Sequence, residues 1–302
     1  MTPIAAPAPS KQAGWGATTR KDPWWIGPSL TFLGLLGFLI YANYVVFFVR
    51  GYFEIRVDKS DFFRPDNPAV APYLAPFHAP LLFDTQSHHA WIHEAQPSWW
   101  WGFPQFSSAM LILIFPAGFR FTCYYYRKAY YRSWWQDPPG CAVGEPTWRK
   151  TYWGENHWPL LIQNIHRYFM YFAIIFILLL TWDALYSFSW PTLDANGRPT
   201  GSHQFGMGLG TLLLIANVVL LSLYTFGCHS FRHLIGGRLN CFSCPAAAGV
   251  YQPGARFKLW RWSTFLNENH MLWAWCSLFS VGFADLYIRL CAAGIWNDPR
   301  IF

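Results

Sequence analysis

Eight cysteines and histidines with the chemistry to bind a metal lie near the predicted ends of membrane helices or in the loops between them. They are Cys123, Cys141, His166, Cys228, His229, His233, Cys241 and Cys244. Thiolate and imidazole groups are the usual ligands of zinc sites and iron–sulfur clusters. The charges of the loops place all eight at one face of a membrane. The sequence therefore predicts a metal or redox cofactor at that boundary.

Some of these residues stand out by their surroundings. Cys141 lies in PPGCAVGEP, residues 138–146, where prolines and glycines predict a fixed turn outside a helix. His166 lies in QNIHRY, residues 163–168, at the polar start of an apolar segment, where polar side chains are costly and tend to be functional. His229 and His233 would share one face if a helix continues past Cys228.

These residues suit three kinds of centre. Cys241 and Cys244 have the spacing of half a zinc-knuckle site. A Rieske-type [2Fe–2S] cluster takes two cysteines on one iron and two histidines on the other. A haem takes axial histidines from two helices, and His166 with a later histidine, His270 included, would suffice. The spacing alone leaves all three open.

Membrane-spanning helices must position these side chains. The 302 residues are 53% hydrophobic and only 12% charged, more apolar than a soluble domain requires. A bilayer crossing takes about 20 mostly apolar residues, and the predicted spans are residues 27–49, 106–126, 160–182, 205–227 and 271–288. The sequence therefore predicts an all-α membrane protein with five transmembrane helices.

Basic residues in the loops orient these helices. Lysine and arginine are concentrated before the first span, between the second and third, and between the fourth and fifth, whereas the first loop is net acidic. This distribution predicts a cytoplasmic N-terminus and an outside C-terminus. It also accounts for the net charge of +7 without a nucleic-acid partner.

The chain is predicted to form one membrane domain, residues 27–302, preceded by a mobile cytoplasmic tail over residues 1–26. An ordered outer cap loop is expected at about 51–105, and cytoplasmic loops at about 127–158 and 229–264. Asp285 and Arg289, four residues apart in the last span, predict an internal ion pair. Gly206, Gly208 and Gly210 predict close helix packing.

Aromatic and basic residues alternate in CYYYRKAYYRSWW, residues 123–135. A belt of interfacial aromatics with cytoplasmic positive charge explains this run. The alternative is a docking surface with a quinone pocket. There, Tyr124, Arg127 or Arg167 would donate a hydrogen bond to a quinone carbonyl.

In several of these runs the chain resembles a known family. This is the single-polypeptide, five-helix membrane anchor of succinate dehydrogenase, respiratory complex II, of the kind with a Rieske-type [2Fe–2S] cluster. The resemblance covers APYLAPFHAP (71–80), most of 111–146 with CYYYRKAYYR and PPGCAVGEP, residues 159–171, CHSFRHLIGGR (228–238) and NHM (269–271).

The resemblance implies that flavoprotein and iron–sulfur subunits dock on the cytoplasmic face and carry out succinate oxidation. This chain would then relay their electrons to menaquinone or ubiquinone in the bacterial inner (cytoplasmic) membrane. The competing hypotheses are a haem b anchor and a zinc-binding membrane scaffold. The implied cluster ligands are Cys141, Cys228 and two imidazoles among His166, His229 and His233, with Cys123, Cys241 and Cys244 as alternative thiolates.

Overall fold

The computed structural model describes residues 22–23, 25–49, 72–83, 89–95, 109–134, 156–158, 160–194, 199–237 and 254–302. These residues form eight α-helices and one β-hairpin. The elements are α1 (Ile26–Phe47), α2 (Ala109–Phe121), α3 (Tyr124–Trp134), α4 (His166–Tyr186), β1 (Ser189–Leu193), β2 (Pro199–Phe205), α5 (Leu209–Phe226), α6 (His229–Gly236), α7 (Ala255–Glu268) and α8 (His270–Ala292). Two short 3-10 helices, Pro76–His78 and Leu160–Ile165, precede α2 and α4.

Four helical segments in the described residues are long and apolar enough to cross a membrane. They are Ile26–Phe47, Leu160–Tyr186, Leu209–Phe226 and His270–Ala292. Four of the predicted spans are therefore confirmed within a few residues. Large apolar side chains remain exposed along these helices, as on Ile40, Leu178 and Phe279, and such side chains are stable only against lipid or another apolar surface. The chain is a membrane protein.

The predicted fifth span, residues 106–126, is not confirmed. Within it α2 has 13 residues, about 20 Å of helix, whereas the hydrocarbon core of a bilayer is about 30 Å thick. The helix ends at Phe121, and α3 begins at Tyr124 with a run of tyrosines and basic residues. The fifth span and the orientation of the termini therefore stay predictions, and the predicted tail lies almost entirely outside the described residues.

The chain divides into two compact units. The first contains residues 1–37 and 121–164, and the second contains residues 38–120 and 165–302. In the first unit α3 is the main described element. Phe32 of α1 packs edge-on against Trp134 at 5.6 Å between ring centroids, and Gln163 donates a 3.3 Å hydrogen bond to the Tyr130 hydroxyl.

The second unit is built around α5, which packs against both α4 and α8. Its main hydrophobic cluster contains Tyr73 and Trp190, which are 0% and 1% exposed, with Leu214 of α5 and Ile288 of α8. Tyr73 belongs to the predicted outer cap loop, and residues 73–81 of that loop are buried in the second unit. Van der Waals contact between these large side chains contributes to helix packing, since lipid is as apolar as the side chains themselves.

The connection between α4 and α5 is an antiparallel β-hairpin, in which Trp190 of β1 pairs with Gln204 of β2. The sequence predicts helix from residue 205, but Phe205 is the last residue of β2 and α5 starts at Leu209. α5 starts later than predicted because Asp298 and Pro299, in the segment after α8, cap its N-terminus. The Gly210 amide donates to Asp298 Oδ1 at 2.8 Å, and the Leu209 amide donates to the Pro299 carbonyl at 3.2 Å.

The predicted ion pair between Asp285 and Arg289 is confirmed, with 2.6 Å between Arg289 Nε and Asp285 Oδ2. Asp285 is fully buried. Its carboxylate also accepts from the Tyr41 hydroxyl at 2.7 Å and the Phe77 amide at 2.9 Å. The second guanidinium nitrogen, Nη2, lies 2.9 Å from His78 Nδ1. This network ties the 3-10 helix of the cap loop to α8 and to the second half of α1.

Candidate metal centre

The structure brings His166 and Cys228 into direct contact. Nε2 of the imidazole and Sγ of the thiol lie 3.1 Å apart, although 62 residues separate them in the chain. His166 is 7% exposed and Cys228 is 1% exposed. A buried contact between a thiol and an imidazole joins the two types of ligand that a Cys/His metal centre requires.

The position of Cys228 follows from the way α5 gives way to α6. Cys228 has extended backbone angles, φ −67° and ψ 140°, and it is the N-cap of α6. Its sulfur accepts a 3.4 Å hydrogen bond from the Ser230 amide. An amide donor and a helix N-terminus both favour negative charge, so this position suits a thiolate.

Residues of α7 hold the end of α5 from the other side. Ser263 Oγ donates to the Phe226 carbonyl at 2.8 Å. Asn267 Nδ2 donates to the Gly227 carbonyl at the same distance. These bonds satisfy carbonyl groups that the end of a helix leaves without intrahelical partners. As a result, the backbone directly before Cys228 is fixed by side chains.

Aromatic rings surround the pair. Phe119 of α2 stacks on the His166 ring, with 4.7 Å between centroids and 7° between planes, and its backbone hydrogen-bonds the His166 side chain. Phe119 also meets Tyr224 of α5 edge-on at 5.4 Å. Tyr224 stacks on His270, at the start of α8, at 4.9 Å. We call these four rings, His166, Phe119, Tyr224 and His270, the aromatic layer.

Arg120 lies against this layer. Its guanidinium carbon is 4.7 Å from the centre of the Tyr224 ring, within the range of a cation–π interaction. Arg120 also donates to the Ala274 carbonyl at 3.2 Å and to Ser277 Oγ at 2.9 Å, both on α8. One side chain of α2 therefore contacts both α5 and α8.

The structure describes three more of the predicted ligands, His229, His233 and Cys123. His229 directly follows Cys228 and is exposed. His233 is also exposed, and its Nδ1 lies 3.1 Å from Arg167 Nη2. Cys123 is buried in the first unit. Three further predicted cysteines, Cys141, Cys241 and Cys244, lie outside the described residues.

Among the residues that the structure describes, no group of three or more histidine, cysteine, aspartate or glutamate side chains lies close enough to hold a metal ion. The candidate metal ligands that the structure brings into contact are thus one thiol and one imidazole. Both are buried, and both are of the kind that a Rieske-type cluster takes. These residues fit half of such a ligand set, and Cys141 is the predicted second thiolate.

The predicted quinone contacts divide between the two units. In the first unit Tyr124 is 55% exposed, and the Arg127 guanidinium carbon lies 4.7 Å from the centre of its ring. In the second unit Arg167 is exposed and contacts His233. The structure therefore pairs Tyr124 with Arg127 and leaves Arg167 a separate candidate.

Several residues of this site carry little signal in the sequence. Spacing suggests His270 only as an axial haem ligand, and Phe119 and Tyr224 do not stand out, because aromatic residues in apolar helices are ordinary packing. The signal that could have found them was Arg120. An arginine that interrupts the apolar run AMLILIFPAGFRF is expensive unless it faces protein, so its neighbours were candidates for a functional site.

Comparisons with known proteins define the class of this chain. The family model described as "Actinobacterial succinate dehydrogenase subunit SdhC" matches residues 26–294. The chain therefore belongs to that family, and it is a non-catalytic membrane anchor of a succinate dehydrogenase complex, with other subunits of the complex as its partners. No curated protein matches at a significant level.

A solved structure agrees with this assignment. The chain is similar to a chain of the "Mycobacterium smegmatis Sdh1 complex in the apo form", with 37% sequence identity and a TM-score of 0.72. The similarity covers 100% of this chain and 99% of that chain. The resemblance noted in the sequence to the succinate dehydrogenase anchor is thus confirmed.

Proposed function

We propose that this anchor relays electrons from a docked iron–sulfur subunit to a quinone through a Rieske-type [2Fe–2S] cluster. The contact between His166 and Cys228 carries the proposal, because it places an imidazole and a thiol together in a buried site. The partners would be the flavoprotein and iron–sulfur subunits, which oxidise succinate. The location would be the bacterial inner membrane, with the site at its cytoplasmic boundary.

The proposed ligands are His166 and Cys228, with Cys141 as the second thiolate and His229 or His233 as the second imidazole. His270 is a further candidate, because the aromatic layer joins its ring to that of His166. When bound, such a cluster supplies a one-electron carrier whose imidazole ligands raise its potential into the range of quinones.

The protein's own groups have defined parts in this proposal. The Ser230 amide stabilises the Cys228 thiolate through its hydrogen bond, and such bonds to ligand sulfur raise the reduction potential. The ring of Phe119 covers one face of His166 and keeps water from it. Tyr124 and Arg127 are the proposed donors to a quinone, menaquinone or ubiquinone, and Arg167 is the alternative donor.

The experiment that tests the proposal is EPR and visible spectroscopy of the purified complex, as isolated and after dithionite reduction. We expect a rhombic [2Fe–2S] signal of the Rieske type, with a lower average g value than the signals of thiolate-ligated clusters in the iron–sulfur subunit. This Rieske-type signal should be lost in His166→Ala and in Cys228→Ser. The series His229→Ala, His233→Ala and His270→Ala would identify the second imidazole, since only the ligand variant should lose the signal. Cys141→Ser should lose it as well.

Two matched controls use residues away from the site. His203→Ala changes an exposed histidine of β2 that contacts Ser189, and Cys291→Ser changes a cysteine at the far end of α8 from His270. Both should keep the signal. A signal that persists in His166→Ala and Cys228→Ser would overturn the ligand assignment. A haem Soret band, or a colourless sample that contains zinc, would instead assign a haem b anchor or a scaffold.

A further inference from the structure

Arg120 lies near the end of the apolar helix α2 and contacts two other helices. Its guanidinium group donates to Ala274 and Ser277 of α8 and lies over the ring of Tyr224 on α5. An arginine that only needed water would extend along the helix toward the aqueous boundary. This one faces protein, so its position requires an explanation.

The aromatic layer connects Arg120 to the candidate metal centre. Tyr224, which Arg120 covers, stacks on His270 and meets Phe119 edge-on. Phe119 directly precedes Arg120 in the chain and stacks on His166. Arg120 therefore touches one member of the aromatic layer and is covalently joined to another, while His166 contacts Cys228.

The shape of the guanidinium group suits this position. Its planar fork can donate to a carbonyl and a hydroxyl while one face rests on an aromatic ring. Both acceptors on α8 are electrically neutral, and they lie four to seven residues after His270. The side chain therefore fixes the first turns of α8, which carry His270, relative to Tyr224.

We infer that Arg120 is a positioning residue of the redox site, which holds the aromatic layer in place and favours the reduced state of the cluster. The inference rests on the proposed function. Reduction of a cluster adds one negative charge, and a nearby fixed cation stabilises that charge. The effect is larger in a buried site than in water, because the surrounding dielectric constant is low.

The test compares two substitutions by EPR-monitored redox titration of the purified complex. Arg120→Gln removes the positive charge and the planar guanidinium group, and we expect a lower midpoint potential for the cluster. Arg120→Lys keeps the charge but loses the bidentate geometry, so its midpoint should lie closer to wild type. Arg300→Gln is the matched control, because Arg300 lies over Trp190 at 5.0 Å, in contact with the β-hairpin. It should leave the midpoint unchanged.

A second readout needs no bound cluster. In cluster-free protein, the rate of Cys228 alkylation, mapped by mass spectrometry, reports how well the aromatic layer and its surroundings shield the thiol. We expect faster alkylation in Arg120→Gln than in wild type or Arg300→Gln.

The two readouts separate the two proposals. A wild-type complex with no Rieske-type signal would contradict the proposed function, and the alkylation rates would still decide the role of Arg120. An Arg120→Gln complex with a wild-type midpoint would overturn the electrostatic part of the inference. An unchanged alkylation rate would overturn the positioning part.

Discussion

The imidazole of His166 and the thiol of Cys228 lie 3.1 Å apart at the junction of three helices. His166 begins α4, and Cys228 caps α6 directly after α5. Each helix end carries one candidate metal ligand, so the distance between His166 and Cys228 depends on how α4 and α5 pack together. Substitutions that move these helices should therefore act on the candidate centre without touching its ligands.

Gly118→Ala tests this dependence. An added Cβ at Gly118 would lie 2.5 Å from Cζ of the Phe169 ring on α4, so α2 and α4 must separate or Phe169 must turn. Overpacking of this kind costs about 1–3 kcal/mol. We expect a lower unfolding temperature in detergent and less bound iron per complex. Because Phe119 adjoins Gly118, the fall in iron content should exceed what other equally destabilising variants produce.

Gly37→Ala is the control for this change, because a Cβ at Gly37 meets nothing within 4 Å. It should behave like wild type or gain slightly in stability from the higher helix propensity of alanine. Equal iron content and equal melting temperatures in the two variants would show that contact between α2 and α4 is not needed for the centre.

Asp285→Asn should be among the most destabilising changes in the second unit. It would leave the buried Arg289 guanidinium without the carboxylate that it contacts at 2.6 Å. Breaking one side of a buried ion pair costs about 3–5 kcal/mol. Tyr41→Phe removes only the 2.7 Å hydroxyl bond to Asp285, and its cost should be about 1 kcal/mol. Chemical denaturation in detergent would measure the unfolding free energy of both variants. Similar losses of stability in the two would argue against the ion pair as the main stabilising contact of the network.

A third prediction concerns Asp298, in the segment after α8. Asp298 accepts from the Tyr73 and Tyr287 hydroxyls, each at 2.7 Å, and from the Gly210 amide. Burial and the Asp298 carboxylate raise the pKa of Tyr73, which keeps that phenol a donor. Asp298→Asn should cost about 2 kcal/mol. The amide oxygen can keep the two bonds made to Oδ1, so only the Tyr73 bond is lost, and a bond to a charged acceptor is worth about 1.5–3 kcal/mol.

The clearest readout of Asp298→Asn is limited proteolysis of the segment after α8. We expect faster cleavage near residues 296–302, because the Asp298 side chain anchors this segment to the start of α5. Asp194→Asn, at an exposed position, serves as the control. If the segment were cleaved at the wild-type rate in Asp298→Asn, the anchor would be the backbone contacts of Pro299 and Ile301.

The stability of the cap loop should depend on pH through His78. Burial, followed by the adjacent Arg289 charge, lowers the pKa of His78 to about 3. Between pH 3 and 6.5 the unfolded chain therefore binds a proton at this histidine that the folded protein does not bind. Stability is complete above pH 6.5 and falls as the pH drops below it, by about 1.4 kcal/mol for each unit.

The measurement is the free energy of unfolding at pH 7.5 and 5.5 in wild type and His78→Asn. The difference between the two pH values should shrink by about 1 kcal/mol in the variant, because asparagine offers Arg289 an acceptor but does not titrate. His203→Asn, at an exposed position, should retain the wild-type difference. An equal pH dependence in His78→Asn would show that folding does not lower the pKa of His78.

Much of the architecture could be predicted from the sequence because hydropathy is a local property. Four spans follow from their apolar length, and the Asp285 to Arg289 pair follows from spacing along one helix. The fifth span could not be settled in this way, since α2 stops at Phe121. The start of α5 was predicted four residues early, because its cap, Asp298, lies 88 residues away from Gly210 in the chain.

The sequence by itself determined the class of the protein, its apolar helices and the residue types available for a metal centre. It could not choose among His166, His229 and His233, since all three lie near helix ends and spacing says nothing of the direction a ring takes. Only the tertiary structure decided that His166 meets Cys228 in a buried contact while His229 and His233 remain exposed. That choice depends on the rotation and packing of α4 against α5, which are fixed by contacts between residues distant in the chain.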